Sequence, residues 1–229
     1  VERGKSTEDA RAAIIGRIEA VAELTALSDC DLVIESVVED MHTKRALFAE
    51  LDALTKPEAI LATNTSTLPV VEMAVNTRRP DQVCGIHFFN PAPVMKLVEI
   101  IRPLTASDDT IATATAFAIA CGKDAVEVAD RAGFIVNHLL FPYLNNAVRM
   151  YEHGTATIEA IDTAMKGGCN FPMGPFALLD LVGLDTTVSI LDALHAEFAD
   201  PHYAAVPTLR RMVAAGRLGR KTKSGFYSY

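Results

Sequence analysis

Short β-branched runs alternate with longer helical patterns through the first half of the chain. Residues 31–38 (Asp-Leu-Val-Ile-Glu-Ser-Val-Val) and 59–63 read as strands, with a helix over 40–55 between them. Ser6-Thr7-Glu8-Asp9 predicts a helix start, with Ser6 as N-cap and acids in the first turn, running to residue 16 or 17. Residues 18–21 read as a short strand, 112–121 as a helix and 125–128 as a last short strand. This spacing predicts βαβ units and a parallel sheet, in which ligands bind at the carboxyl ends of the strands. The polar turn Asn64-Thr65-Ser66-Thr67 falls at that edge, as do Glu39 and His87.

Two further apolar runs, 83–89 and 95–101, flank Asn90-Pro91-Ala92-Pro93, whose prolines mark a connection. In the second run, period-two alternation puts Met95, Leu97, Glu99 and Ile101 on one face, so Glu99 sits in an apolar row. A buried carboxylate is costly unless paired, and the nearest partner of opposite character is His87. From about residue 131 the pattern becomes helical almost throughout. Residues 134–151 are apolar on nearly every side, as in a helix buried between layers, and Pro142 should kink it or occupy an exposed bend. Residues 157–166, 176–182, 186–198 and 208–215 read as four more helices. The polar break around Asp130, Arg131 and Gly133 divides the chain into 1–130, α/β in class, and 131–229, all helical.

Composition adds exclusions. The chain has 229 residues, 50% hydrophobic and 22% charged, as in a globular protein with a sizeable core. Its net charge of -8 argues against nucleic acid as a partner. The four cysteines form no Cys-x-x-Cys pair; Cys30, Cys84 and Cys121, in or beside apolar runs, are expected to be reduced and buried in a cytoplasmic protein. No run has the length of a membrane span, and the start lacks a signal-peptide pattern. The histidines show no metal-ligand spacing, and no Gly-x-Ser-x-Gly elbow occurs.

A histidine held by a carboxylate is a unit of acid–base catalysis, and the ordinary imidazole pKa of ~6.5 suits a base near neutral pH. Ser66 is either a turn residue bonded to its own backbone or a hydroxyl offered to a ligand. Asn137 falls inside a strongly apolar helix, where its amide needs a partner. Glu39 and Lys44 open a helix after a strand; they read equally as a first-turn acid with a surface lysine, or as ligand contacts. Arg210, Arg211, Arg217, Arg220, Lys221 and Lys223 form a cluster without acids, either a solvated helix end or a rim that attracts anions.

Several motifs together carry a resemblance: His87-Phe88-Phe89-Asn90-Pro91, the Asn64-Thr65-Ser66 turn, Glu99, Gly133-Phe134-Ile135-Val136-Asn137, and the ending Gly-Arg-Lys-Thr-Lys-Ser-Gly-Phe-Tyr. The chain resembles the 3-hydroxyacyl-CoA dehydrogenases over essentially its whole length, most of all the stand-alone bacterial 3-hydroxybutyryl-CoA type. The resemblance implies a partial Rossmann-type domain followed by an all-α substrate and dimerisation domain. It implies NAD-dependent oxidation of (S)-3-hydroxyacyl-CoA in fatty acid or butanoate metabolism, with NADP left open, by a homodimer. It assigns His87 as base and Glu99 as its orienter, with Ser66 and Asn137 on the reacting oxygen. Glu39, Lys44, Asn64, Ser66, Asn90 and Lys221 would face the cofactor, and the basic cluster would steer CoA phosphates. Such proteins begin with a Gly-x-Gly-x-x-Gly turn. This chain has 13 glycines and no Gly-x-Gly, so it is expected to start after the first βαβ unit as an N-terminally incomplete form. Two other functions stay open. One is a gulonate-type hydroxy-acid dehydrogenase, which Phe88-Phe89 disfavours. The other is a non-catalytic fragment that binds CoA thioesters or forms dimers.

Overall fold

A computed structural model describes residues 7–229. Helix α1 (Glu8–Ile15) is capped by Thr7, whose hydroxyl accepts from the Ala10 N–H at 3.2 Å. Ser6, the expected cap, lies outside the described residues. Residues 18–21 form no strand; Ile18 and Val21 are exposed, and β-branched character without a neighbouring ladder does not hold an extended segment.

The sheet has five strands, β1 (Leu32–Glu35), β2 (Ile60–Thr63), β3 (Val83–Phe88), β4 (Leu97–Arg102) and β5 (Asp124–Ala129), in that spatial order among the described residues. It is mostly parallel, but β3 and β4 pair antiparallel. The expected parallel sheet is present in the other three pairs, and this pair alone departs from it. Residues 89–96 are too few for a crossover, which needs a dozen or more residues, so the chain doubles back. β1 also stops at Glu35, short of residue 38. The Glu35 carboxylate accepts the Val37 N–H at 2.6 Å and turns the chain outward, leaving Val37 and Val38 exposed. β4 starts at Leu97, because the N–H groups of Val94 and Met95 both bond the Pro91 carbonyl in a turn.

Helices cover both faces. On one, α2 (Met41–Leu54) and α3 (Val70–Ala74) bury Phe48, Leu51 and Met73 against Leu61, Val83 and Ile101. On the other, α4 (Asp108–Ala120) buries Ile111 and Ala114 against Ile86, Val98 and Ile100. Gly85 lies opposite Ile101, and a Cβ there would meet the Ile101 Cβ at 2.7 Å, so the strands can pair only with glycine at this point. Of the cysteines only Cys84 is buried; contrary to expectation, Cys30 is half-buried, and Cys121, following the end of α4, is exposed.

The second half packs α5 (Val136–Glu152), α6 (Ile158–Cys169), α7 (Pro175–Val182), α8 (Leu184–Phe198) and α9 (Pro207–Ala214) around Phe141, Leu144, Phe176, Leu179, Leu191 and Leu194. α5 starts two residues later than the apolar pattern suggests, since Gly133 (φ 75) and Phe134 (φ 47) take left-handed conformations. Pro142 lies buried inside α5, not at an exposed bend. Four helices lack a side-chain cap of their own and borrow a carboxylate from elsewhere. Asp130 accepts from Val70 and Val71 at the start of α3, and Asp162 from Phe176 and Ala177 at the start of α7. Glu152 accepts from Thr208 at the start of α9. The fourth, at the start of α5, is Glu99. Among the described residues no helix is long and apolar enough to cross a membrane.

Candidate active site

His87 on β3 and Glu99 on β4 are directly opposite in the antiparallel register, so the ladder itself sets their side chains together. His87 Nδ1 lies 2.8 Å from Glu99 Oε2, and both residues are buried. The second carboxylate oxygen, Oε1, accepts the N–H groups of Ile135 and Val136, each at 3.0 Å. These are the orphan donors at the positive end of α5, which explains why a fully buried carboxylate is tolerated in an apolar row. The rings of Phe89 and Phe134, at 4.6 and 5.5 Å between centroids, wall the imidazole. Its other nitrogen, Nε2, points at Ser66 Oγ, 3.1 Å away.

Ser66 stands in a turn after β2 that is held by carboxylates. Glu39 Oε1 accepts from the Ser66 N–H at 3.0 Å and from the Thr65 hydroxyl. Glu39 Oε2 is 3.4 Å from Lys44 Nζ, and the same ammonium donates to Glu35 Oε1 at 2.6 Å. Lys44 is 1% exposed, so it is no surface lysine. Asn64 clamps three strand ends: its carbonyl accepts from Phe88 N–H at 2.8 Å and its amide donates to Ser36 Oγ at 3.2 Å. Ser36, Glu39, Lys44, Asn64 and Ser66 line one side of a cleft of about 460 Å³, and Asp185, Thr186 and Ile190 of α8 line the other. Lys221 donates to both Asp185 oxygens, at 2.5 and 2.6 Å, behind that second wall. Burial raises the Asp185 carboxyl, but the Lys221 hydrogen bond, the Thr186 backbone N–H and the Lys221 charge together lower it below the usual carboxylate range.

Other expected residues stand differently. Asn137, in the first turn of α5, is 8% exposed, and its side-chain amide has no hydrogen-bond partner among the described residues. Asn90 is exposed, precedes a cis proline and does not line the cleft. The basic cluster is largely engaged internally. Arg210 pairs with Asp192, Arg217 bonds Ser224 Oγ and the Gly225 carbonyl, and Arg220 lies over the Tyr229 ring. Glu35 was not among the expected site residues. The signal was available, because β1 alternates buried Val33 with buried Glu35, the same misfit that exposed Glu99.

A carboxylate-held histidine behind Ser66, a residue of the cleft between a mostly parallel sheet and a helical unit, is the arrangement of an acid–base enzyme of the two-domain dehydrogenase class. Comparison with known proteins narrows this. Residues 1–131 match the family profile described as 3-hydroxyacyl-CoA dehydrogenase, NAD binding domain, and residues 133–229 match that of 3-hydroxyacyl-CoA dehydrogenase, C-terminal domain. A 3-hydroxybutyryl-CoA dehydrogenase of Mycobacterium tuberculosis is 48% identical over 100% of this chain and 81% of its own length. One from Clostridioides difficile is 47% identical, covering 100% and 82%. The crystal structure of (S)-3-hydroxybutyryl-CoA dehydrogenase from Ralstonia eutropha superposes with a TM-score of 0.97 at 42% identity, over 100% of this chain and 81% of that one. The chain belongs to the 3-hydroxyacyl-CoA dehydrogenase family.

The family implies NAD. The cleft beside His87 presents an amide, hydroxyls, a carboxylate and a fixed ammonium group at the strand ends, which fits the nicotinamide and its ribose. A glycine-rich pyrophosphate turn has no counterpart among the described residues.

Proposed function

We propose that the chain catalyses NAD-dependent oxidation of the C3 hydroxyl of an (S)-3-hydroxyacyl-CoA, 3-hydroxybutyryl-CoA above all, to the 3-oxoacyl-CoA, and the reverse reduction. The observation that carries this reading is the unbroken line from the start of α5 through Glu99 and His87 to Ser66 at the cleft wall. Glu99, an acceptor only, favours the tautomer with the proton on Nδ1 and leaves the Nε2 lone pair facing Ser66 Oγ at the cleft wall. His87 then takes the hydroxyl proton on Nε2, and the Glu99 charge offsets the imidazolium that forms. NAD, when bound, supplies the acceptor for the hydride that leaves C3. Ser66 Oγ, already within hydrogen-bond distance of Nε2, marks where a second oxygen can be held, and the unpartnered Asn137 amide offers a donor as that oxygen becomes a carbonyl. In reduction His87 returns the proton.

Glu39, Lys44 and Asn64 are assigned to the nicotinamide side, Asn90 to its outer edge, and Lys221 to the opposite wall through Asp185. Residues 1–130 form the cofactor side in this reading, and 131–229 bind the acyl-CoA and pair two chains. Leu139, Met150, Phe171 and Leu181, exposed on the helical half, support such a homodimer. Four free cysteines accord with a cytoplasmic setting. Separate calorimetric titrations with NADH and acetoacetyl-CoA test the reading. Saturable binding of both is expected. Thioester binding alone would favour the non-catalytic fragment, and binding of neither would overturn the proposal.

A further inference from the structure

We propose that Glu35, at the carboxyl end of β1, is a positioning residue for the acid–base site, acting through the turn at residues 63–66 on Ser66 and thereby on His87. The inference rests on the reading of His87 as the base. The Glu35 carboxylate is buried and fully committed. Oε1 accepts from Lys44 Nζ and from Val37 N–H, both at 2.6 Å, and Oε2 accepts from the Thr63 hydroxyl at 2.7 Å. The Thr63 oxygen in turn accepts the Thr65 N–H at 3.1 Å, the first bond of the turn that presents Ser66. A second route runs through Lys44 to Glu39, which takes the Ser66 N–H itself. Glu35 thus reaches the same turn twice, once through a neutral hydroxyl and once through a shared cation.

Stability alone gives a poor reason for this arrangement. A buried ion pair is commonly no better than apolar side chains of similar volume, and Val33 on the same face shows that an apolar residue fits there. What the pair provides is a fixed location. The Ser66 turn is bonded at its start, through Thr63, and at its Ser66 amide, through Glu39, so the serine hydroxyl has little freedom to leave His87. Misplacement of a reacting group by about 1 Å can cost ~10²-fold in rate, so the precision has a functional return.

The test compares Glu35→Gln, Ser66→Ala and their double variant in the full chain. The readout is the nitrogen NMR signal of the His87 ring, assigned by its loss in His87→Gln, together with the melting temperature and turnover. Glu35→Gln should move the His87 Nε2 signal in the same direction as Ser66→Ala. The double variant should move it no further than Ser66→Ala alone. Turnover should fall roughly 10- to 100-fold in Glu35→Gln with the thioester KM unchanged. A Glu35→Gln protein that melts earlier but keeps the wild-type His87 signal overturns the proposal and leaves Glu35 purely structural. If Glu35→Gln does not fold, Glu35→Asp, which keeps the charge but shortens the reach to both Thr63 and Lys44, carries the same test: an unmoved signal overturns the proposal. An unmoved signal in Ser66→Ala overturns it together with the site reading on which it rests.

Discussion

Replacing Glu99 by glutamine keeps the shape of the side chain and removes its charge. The carboxylate accepts three hydrogen bonds, one from His87 and two from the start of α5. A glutamine can satisfy both helix donors only by turning its carbonyl toward them, which aims its NH₂ group at His87 Nδ1. Nδ1 must then accept, so the ring proton moves to Nε2, the atom that has to receive the substrate proton. Turnover should fall by ~10³- to 10⁴-fold, within or near the usual worth of a general base and comparable to the same inversion in a Ser-His-Asp triad. Stability should change little, because both helix donors stay paired. Glu99→Ala separates the two effects. It orphans two buried N–H groups at about 1–3 kcal/mol each and leaves a cavity, on the order of 5 kcal/mol together, a large part of a domain's stability. Steady-state oxidation measured by NADH absorbance, paired with urea unfolding, reads both quantities. A Glu99→Gln variant that keeps a tenth or more of wild-type turnover (~0.1) would refute the orienting role.

Lys44→Met should destabilise the chain by about 3–5 kcal/mol, since it leaves the Glu35 carboxylate buried without a cation; a change in unfolding free energy under about 1 kcal/mol would contradict the pairing. Asp52 is buried, which by itself raises its pKa, but hydrogen bonds from Arg79 and Arg78 prevail and lower it. Its contribution to stability is therefore present above the unfolded pKa of ~3.9 and is lost as pH falls through the lower folded value. Asp52→Asn should flatten the acid limb of the stability curve below that pH, and an unchanged limb would count against the assignment. Burial pushes the Cys84 thiol up to about 12, whereas Cys121 and Cys169 are exposed. At about pH 8 a variant retaining only Cys84 should react with a thiol reagent only on unfolding, and prompt reaction when folded would contradict its burial.

The His87–Glu99 pair was legible because a carboxylate in a period-two apolar row is a local misfit, and because their spacing suits two strands joined by a short proline-rich connection. The same logic applied to Glu35 would have uncovered a second buried carboxylate. Burial of Lys44 was not legible. A lysine in the first turns of a helix is solvated unless a partner comes from elsewhere, and Glu35 arrives from the preceding strand only once β1 and α2 have packed. The antiparallel return of β4 was implicit in the short segment 89–96, while the alternation of strands and helices spoke for the parallel pairs. At residues 18–21 propensity misled, since no strand lies beside them. The start of α5 depends on left-handed Gly133 and Phe134, and on a cap supplied by Glu99 from another element, neither of which apolar periodicity encodes. The basic cluster looked unpaired along the chain, yet Asp185 and Asp192 on α8 meet two of its members.

The base at the centre of this account can be tested in one comparison. Wild-type chain and His87→Gln, with matching melting temperatures, are supplied with (S)-3-hydroxybutyryl-CoA and NAD, and NADH is followed. The account predicts formation of NADH by the wild type and a rate lower by ~10²- to 10⁴-fold in the variant. Equal rates in the two proteins would contradict it.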